Sequence, residues 1–325
     1  MTKMLDYPEP ETLAEALTLL AHYGDRAMCI AGGTDVIPRL KKKQISPEAL
    51  ISLNRVAGLG SIDLNGALRI GAGTTHRTIE KSALIRERFS ALTDAVDVLG
   101  SVQIRNVGTI GGNICTAAPS ADTAPPLLVL GAQARAVSLK GERMIPLETF
   151  FQGPGKSILT PEEIVTEFII PTPLPCSASA YWKHQRRLAL DLPILGVAVQ
   201  LTLDKRTCPL PGNLNDEGSW PAIWQALAQE RPVCREVKIA LGVAAPVPMR
   251  ARKAEALLQG QVLTPELLEE AARIASEEAQ PRDSVRGEAW YRKEMVRVFV
   301  KRMVLKCVER IACGETPAVE LPGKA

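Results

Sequence analysis

Two glycine-rich segments are the strongest candidates for chemistry in this sequence. Residues 32–35 (GGTD) follow a short apolar run, and residues 108–113 (GTIGGN) come later in the chain. Paired glycines let backbone N–H groups approach a phosphate, and a threonine hydroxyl can donate a hydrogen bond to it. Either segment alone is more often an ordinary turn. Together they predict a clamp for one pyrophosphate, in which Thr34 and Thr109 matter only if both segments meet the same ligand.

The established nucleotide motifs do not occur in the sequence. It has no glycine-rich loop that ends in Lys-Ser or Lys-Thr, and therefore no P-loop. The nearest approach to a dinucleotide fingerprint, residues 71–76 (GAGTTH), lacks the third glycine. The predicted phosphate site is therefore not a standard Rossmann NAD site.

Hydrolytic and metal sites find little support in the residue pattern. His76 and His184 have no neighbouring cysteine or carboxylate pattern typical of a catalytic triad or a metal site. No two cysteines are spaced as C-x-x-C, so neither a zinc ribbon nor an iron–sulfur cluster is indicated. We therefore predict no catalytic side chain and no metal ligand, and a bound cofactor would have to supply the chemistry.

Composition limits the partners and the compartment. The 39 Lys and Arg residues nearly balance the 36 Asp and Glu residues, and aromatic residues make up 4%, which argues against a nucleic-acid-binding surface. No apolar run approaches the length of a membrane helix, and the N-terminus lacks the apolar core of a signal peptide. Seven cysteines without regular spacing are typical of a reducing compartment. We expect a cytoplasmic protein without a nucleic-acid or membrane partner.

The elements that would position the glycine segments are mixed α and β. Thr12 and Glu15 form a capping box at the start of a first helix, and residues 27–30 form a strand that leads into the first segment. Residues 101–113 contain three glycines within five residues, which predicts a tight backbone path rather than a helix. Further predicted elements are strands at 49–53, 68–72, 163–170, 196–203 and 238–243, a helix at 89–99, and helices after Thr264 and around 296–308.

Residues 208–234 read as an insertion between two strands. The segment carries Trp220 and Trp224 at the i,i+4 spacing of a helix face. Tryptophan is enriched at protein interfaces, which favours a docking site for a partner subunit. The alternative, about equally supported, is a short surface helix that folds both rings back onto its own domain.

The glycine segments belong to a longer ordered series that resembles the FAD-binding subunits of molybdenum hydroxylases, with xanthine dehydrogenase as the nearest member. The series covers nearly the whole chain and comprises residues 30–35, 69–75, 103–115, 120–122, 153–156, 181–183 and 242–248. The resemblance implies an α+β fold of the vanillyl-alcohol-oxidase type. It would have an N-terminal FAD-binding subdomain (1–55), a middle FAD-binding subdomain (56–175) and a C-terminal sheet-and-helix domain (176–325) with an insertion at about 206–234.

The resemblance also implies a set of FAD-binding residues. Asp122 would lie at the adenosine end of FAD, and Val165 and Lys183 near the isoalloxazine ring. Without the resemblance, the favoured interpretation of Asp122 is a helix cap or turn residue, and the alternative for Lys183 is a surface lysine at the end of a strand. The first pyrophosphate loop would be Cys29, Ile30, Ala31, Gly32, Gly33, Thr34, Asp35 and Val36, and the second Thr109, Gly111, Gly112 and Asn113.

By the same resemblance, the chain is an electron-transfer subunit. A molybdenum-cofactor subunit would oxidise the substrate, a [2Fe-2S] subunit would relay electrons, and FAD in this chain would pass them to NAD+. Some relatives insert a cysteine-rich loop for a four-iron cluster after the Gly-Gly-Asn position. Here eight residues separate Asn113 from Asp122, with Cys115 alone, so we expect no such cluster. The alternatives are a free-standing flavoenzyme with its own organic substrate and a flavin-free interaction protein.

Overall fold

The computed structural model describes residues 5–187, 189–214 and 216–314. Residues 1–4 and 315–325, at the ends of the predicted first and last domains, lie outside this range. Within the described ranges, no helix is both long and apolar enough to cross a membrane.

The N-terminal part is a small α/β unit. The predicted capping box is confirmed, since the Thr12 hydroxyl accepts from the Glu15 amide at 3.2 Å and the Glu15 carboxylate accepts from the Thr12 amide. The first helix buries Ala16, Leu17 and Leu20 against the two strands. The elements are α1 (Leu13–Tyr23), β1 (Ala27–Ile30), α2 (Val36–Lys41) and β2 (Ala49–Ser52), with β1 and β2 parallel.

A five-stranded antiparallel sheet follows, in the spatial order β3-β4-β9-β5-β6. Its strands are β3 (Ile62–Asn65), β4 (Ala67–Gly71), β5 (Gln133–Ser138), β6 (Gly141–Pro146) and β9 (Ile164–Pro171). The chain between β4 and β5 forms α3 (His76–Lys81), α4 (Ala83–Arg88), α5 (Ser90–Asp97), α6 (Val102–Val107), α7 (Ile110–Cys115) and α8 (Ala124–Val129). A short helix and hairpin follow β6, namely α9 (Leu147–Phe150), β7 (Phe151–Gly153) and β8 (Lys156–Ser157).

A four-stranded antiparallel sheet with helices packed on it forms the C-terminal part. Its strands, in the spatial order of their numbers, are β10 (Ser177–His184), β11 (Leu195–Leu203), β12 (Cys234–Gly242) and β13 (Met249–Arg250). The helices are α10 (Trp220–Glu230), α11 (Arg252–Leu258), α12 (Pro265–Glu278) and α13 (Ala289–Cys313). Four valines of α13, spaced four residues apart, lie fully buried in this core: Val296, Val300, Val304 and Val308.

The prediction that residues 101–113 avoid helix is wrong. The chain forms two six-residue helices, α6 and α7, and Gly108 separates them in an extended conformation. Each helix has its own hydroxyl cap, since Ser101 accepts from the Ile104 amide and Thr109 accepts from the Gly112 amide. These caps offset the low helix propensity of glycine, because they satisfy amides that a short helix otherwise leaves unpaired.

The insertion folds back onto its own domain. Ile223 and Leu227 of α10 are fully buried in the C-terminal core, and both tryptophan rings pack against the same cluster. The Trp220 indole N–H donates to the Leu214 carbonyl at 3.1 Å. The tryptophan pair therefore does not form an exposed docking surface, and the second interpretation of this segment is the correct one.

Candidate functional site

The two glycine segments lie against each other in the structure. A Cβ added to Gly32 would lie 2.0 Å from the Val107 carbonyl oxygen and 2.8 Å from the Gly108 Cα. No real Cβ tolerates such distances, so only glycine lets the first segment approach the backbone that precedes Thr109. The two segments therefore meet the condition set by the sequence, namely that both can face one ligand.

The first segment presents unpaired backbone donors. Across the described chain, no hydrogen bond uses the N–H groups of residues 32–35. Gly33 has a φ of +70°, and its carbonyl accepts from the Ile37 amide at 3.0 Å, so the segment turns directly into α2. Successive N–H groups in such a turn form a concavity that suits an anion. The basic residues Arg39, Lys41, Lys42 and Lys43, which follow closely, add favourable charge for a phosphate.

The second segment does not offer its glycine amides, which corrects the physical reason given for it. The Ile110 amide donates to the Thr74 carbonyl, and the Gly111 amide donates to the Ala72 carbonyl at 2.8 Å. The Gly112 amide donates to the Thr109 hydroxyl at 3.0 Å. Gly111 is needed for packing, since its Cβ would lie 2.6 Å from the Ala72 oxygen.

What the second segment retains for a ligand is side-chain donors. The Thr109 hydroxyl accepts from Gly112 and keeps its own hydrogen as a donor. The side-chain carbonyl oxygen of Asn113 accepts from the Thr123 hydroxyl at 2.6 Å. This contact fixes the orientation of the side-chain amide, so its NH2 group is the part that can donate to a ligand. A hydroxyl and a primary amide are both suitable donors to a phosphate oxygen.

Asp122 and Lys183 form a buried ion pair. Lys183 Nζ lies 2.9 Å from Asp122 Oδ2, and the two side chains are 1% and 7% exposed. The Tyr181 hydroxyl donates to Asp122 Oδ1 at 3.0 Å, and Lys183 also donates to the Val98 carbonyl at 3.2 Å. Burial raises the pKa of Asp122, and the Lys183 ammonium opposes that rise. The ammonium has three hydrogens and uses two of them in these contacts, so one remains for a ligand.

This ion pair is incompatible with the two roles that the resemblance implies, taken together. Asp122 was expected at the adenosine end of FAD and Lys183 at the isoalloxazine ring. The ribityl chain and the pyrophosphate separate those two ends of FAD, whereas the two side chains lie 2.9 Å apart. The two residues must therefore serve the same part of any cofactor.

Val165 belongs to a different part of the structure from Lys183. It lies on β9, is 4% exposed and packs in the core of the five-stranded sheet, opposite Ala136. The carbonyl of the next residue, Thr166, accepts from the Ala72 amide at 2.8 Å, and the Ala72 carbonyl accepts from Gly111. Through these two backbone hydrogen bonds, Ala72 connects the strand of Val165 to the second glycine segment.

The cysteines beside the two segments are inert thiols. Cys29 precedes the first segment and Cys115 ends α7. Burial raises the pKa of both thiols to about 12, so neither is a thiolate at neutral pH. Among the described residues, no group of three or more His, Cys, Asp or Glu side chains could hold a metal ion.

Sequence reasoning missed Tyr181 and Thr123, which hold Asp122 and Asn113. The signal for Tyr181 was available, because residues two apart on a strand share a face and Tyr181 therefore lies beside Lys183. Thr123 carried no comparable signal, since its contact with Asn113 joins a loop to a helix ten residues earlier.

Comparison with known proteins identifies the family. Residues 3–173 match the family described as the FAD binding domain in molybdopterin dehydrogenase, and residues 222–307 match the CO dehydrogenase flavoprotein C-terminal domain. The xanthine dehydrogenase FAD-binding subunit of Escherichia coli O157:H7 is 32% identical over 95% of this chain and 97% of that protein. The nicotinate dehydrogenase FAD-subunit of Eubacterium barkeri is 30% identical over 96% of this chain and 99% of that protein.

A solved structure agrees with these sequence matches. A chain of carbon monoxide dehydrogenase from Hydrogenophaga pseudoflava superposes with a TM-score of 0.82 at 28% identity, over 95% of this chain and 99% of that one. The predicted α+β FAD-binding fold and the predicted resemblance are both confirmed. The chain belongs to the family of FAD-binding domains of molybdopterin dehydrogenases, and it is an oxidoreductase subunit with FAD as its cofactor.

Proposed function

We propose that this chain carries electrons from the iron–sulfur clusters of a [2Fe-2S] partner subunit, through FAD, to NAD+, while a molybdenum-cofactor subunit oxidises the substrate. The names of the relatives support a subunit role, since the Escherichia coli protein is called an FAD-binding subunit and the Eubacterium barkeri protein an FAD-subunit. We propose the cytoplasm as the compartment, because all seven cysteines are free thiols. The three-domain division at residues 55/56 and 175/176 stays part of this proposal.

The contact between Gly32 and the backbone of residues 107–108 is the observation that carries the FAD assignment. It brings the first segment, whose four N–H groups make no hydrogen bond, against the backbone that leads directly into Thr109. We infer that one phosphate lies on the first-segment amides and the other on the Thr109 and Asn113 side chains of the second segment. Both kinds of donor are hydrogen-bond partners that phosphate oxygens accept.

Lys183 and Asp122 are proposed to lie at the flavin ring. FAD supplies the redox chemistry when it is bound. The Lys183 ammonium would stabilise negative charge that develops on the reduced ring, and Asp122 would hold that ammonium in place. Because both side chains are buried, water does not screen their interaction with a ligand.

Purification from the native source tests this function. We expect one non-covalent FAD per chain, released by acid or heat, together with molybdenum, iron and two further subunits. We also expect NADH to bleach the visible flavin absorption of the isolated chain, since electron transfer to NAD+ is reversible. A colourless folded protein would overturn the FAD site.

The free-standing flavoenzyme is tested in the same preparation. An isolated chain without molybdenum or iron that oxidises an organic substrate, and whose flavin that substrate bleaches, would establish this alternative. Bleaching of the flavin by a quinol, or reoxidation of the reduced flavin by oxygen, without a response to NADH, would keep the subunit role and change the acceptor.

A further inference from the structure

The free edge of the four-stranded sheet is closed by side chains of α5 and α13 instead of a strand. β10 is an outer strand, and the outward backbone groups of such a strand lack a neighbour. Arg310 Nη1 donates to the Ser179 carbonyl at 2.6 Å, and the Tyr181 amide donates to Asp94 Oδ2 at 3.0 Å. Asp94 and Arg310 join each other through two hydrogen bonds of 2.8 Å. The Ser90 hydroxyl donates to the same Ser179 carbonyl at 2.7 Å, and together with Ser90 the pair takes the place of a neighbouring strand.

This closed edge leads directly to the buried ion pair. Tyr181 and Lys183 are two residues apart on β10, so their side chains share one face of the strand. Both side chains donate to the carboxylate of Asp122. Because Asp94 accepts from the backbone N–H of Tyr181, it fixes the position of this part of β10. It thereby also fixes the positions from which Tyr181 and Lys183 donate to Asp122.

We propose that Asp94 and Arg310 are positioning residues for the flavin site: they hold β10 so that Lys183 stays at its place beside Asp122, and they thereby raise the reduction potential of the flavin without touching it. This inference rests on the proposed placement of Lys183 at the flavin ring. Asp94 lies on α5 and Arg310 near the end of α13, 216 residues later, so the last helix contributes to the site through this contact.

A second ion cluster at β13, the opposite outer strand of the same sheet, provides a matched control. Arg250 bridges Glu148 of α9 and Glu255 of α11, and Glu255 also accepts from the Ile239 amide at 2.8 Å. Like the Asp94 pair, it joins the chain around the five-stranded sheet to the C-terminal part. It makes no hydrogen bond to β10 among the described residues. Its loss should lower stability without moving Lys183.

The experiment uses the full-length protein with FAD bound and measures the midpoint potential, the flavin content and the thermal midpoint. We expect Arg310→Met and Asp94→Asn each to lower the reduced-to-oxidised ratio at a fixed potential by about tenfold, or ~30 mV for a two-electron couple. Arg310→Lys should recover part of this loss, because lysine restores one donor to the edge. Arg250→Met should leave the potential unchanged.

The two substitutions separate positioning from simple charge effects. Loss of a positive charge by Arg310→Met lowers a potential through space, whereas loss of a negative charge by Asp94→Asn raises it. Positioning predicts a lower potential in both variants. Opposite signs, equal shifts in Arg250→Met, or no shift in either variant while Lys183→Met lowers the potential, would each overturn the inference.

Failure of the proposed function gives a different result. If Lys183→Met itself leaves the potential unchanged, Lys183 does not lie at the flavin, and the placement and this inference both fall. If Arg310→Met does not fold, the isosteric Asp94→Asn carries the same test alone. Its amide keeps one acceptor oxygen and replaces the other with an NH2 group, so it cannot accept from Tyr181 and from both Arg310 Nη atoms as the carboxylate does.

Discussion

Charge at the candidate flavin site is set by a neutral pair rather than by a lone cation. Lys183 is tied to Asp122 at 2.9 Å, and Tyr181 gives the same carboxylate a second donor. A flavin beside this pair meets one positive and one negative group at close range. The orientation of the pair therefore decides whether the ring experiences a positive or a negative electrostatic potential. The third hydrogen of the ammonium, which neither Asp122 nor Val98 accepts, is the group that can face the ring.

Substitutions of the two partners should move the reduction potential of the flavin in opposite directions. Lys183→Met removes the cation and should lower the potential, with a loss on the order of 1–3 kcal/mol for the reduced state. Asp122→Asn leaves the cation uncompensated and should raise the potential. Spectroelectrochemical titration of the two variants checks both signs, and an unchanged potential in both would place the pair away from the ring.

Gly112 offers a direct probe of cofactor approach. A Cβ at this position meets only the Thr109 Oγ1 atom, at 3.1 Å, and the backbone needs no positive φ. Gly112→Val should therefore fold and yet reduce FAD affinity at least about tenfold, or 1.4 kcal/mol, because the side chain crowds the Thr109 hydroxyl that is proposed to bind phosphate. Flavin titration of the apoprotein measures this effect.

Substitutions at two other glycines provide the comparisons for Gly112→Val. Gly60→Val, at a position with nothing within 4 Å of an added Cβ, is the matched control and should bind FAD normally. Gly111→Ala should lower stability, because its Cβ meets the Ala72 oxygen at 2.6 Å. Normal flavin content in Gly112→Val would show that the second segment does not face the cofactor.

His76 links stability to pH. It is buried beneath Gly108, and burial together with the positive charge of Arg105 lowers its pKa from 6.5 to about 4. The unfolded chain takes up a proton below pH 6.5, whereas the folded protein does so only near pH 4. The free energy of unfolding should therefore fall by about 2 kcal/mol between pH 7 and pH 5 from this residue alone.

Urea unfolding at the two pH values tests the His76 contribution. His76→Gln, which cannot titrate, should show a smaller loss of stability between pH 7 and pH 5. His22→Gln, on an exposed part of α1, is the control and should keep the wild-type slope. Equal slopes in all three proteins would mean that folding does not lower the pKa of His76.

At the scale of elements, α10 is part of the C-terminal core. Ile223→Ala removes a fully buried side chain and should cost about 2–5 kcal/mol of stability. Gln229→Ala, on the exposed face of the same helix, should stay within about 0.5 kcal/mol of the wild type. Chemical denaturation distinguishes the two, and equal small effects would return α10 to the status of a detachable insertion.

The sequence predicts an element well where local signals are strong. α1 was predicted by its capping box and apolar spacing, and β9 by an apolar run that ends at Pro171. α6 and α7 were missed because the glycines of residues 108–112 dominate the local signal, whereas the caps and the packing of Gly111 on Ala72 decide the structure. Short helices of this kind depend on tertiary contacts that no local pattern contains.

The same distinction holds for the site. The glycine segments were identifiable because their spacing is unusual, and family resemblance added Asp122 and Lys183. The distance of 2.9 Å between those two side chains was not predictable, because it depends on how β10 packs against the loop before α8. The family resemblance assigns a separate role to each residue, and such separate assignments contain no information about the contact between the two side chains.

At the scale of the whole molecule, Arg250 links the C-terminal part to α9 through Glu148 and also pairs with Glu255. Arg250 and Glu255 are almost fully buried, so removal of one partner leaves a charge without compensation. Arg250→Met should therefore cost about 3–5 kcal/mol. The more exposed pair Arg26 and Glu48 is the control, and Arg26→Met should cost less than about 1 kcal/mol. Thermal unfolding compares the two, and equal losses would show that the Arg250 cluster is not structurally important.

The closure of β10 by Arg310 has a consequence for synthesis on the ribosome. Arg310 is translated 131 residues after Ser179, the residue whose carbonyl it covers. Chains are made at about 5–20 residues per second and begin to fold from the N-terminus, so this strand edge lacks its Arg310 donor and stays incompletely covered for several seconds. Uncovered strands pair with one another, and neighbouring nascent chains on one messenger carry the same strand. The interval before α13 emerges is therefore when this protein most needs a chaperone, and premature termination in that interval should yield aggregates rather than a soluble fragment.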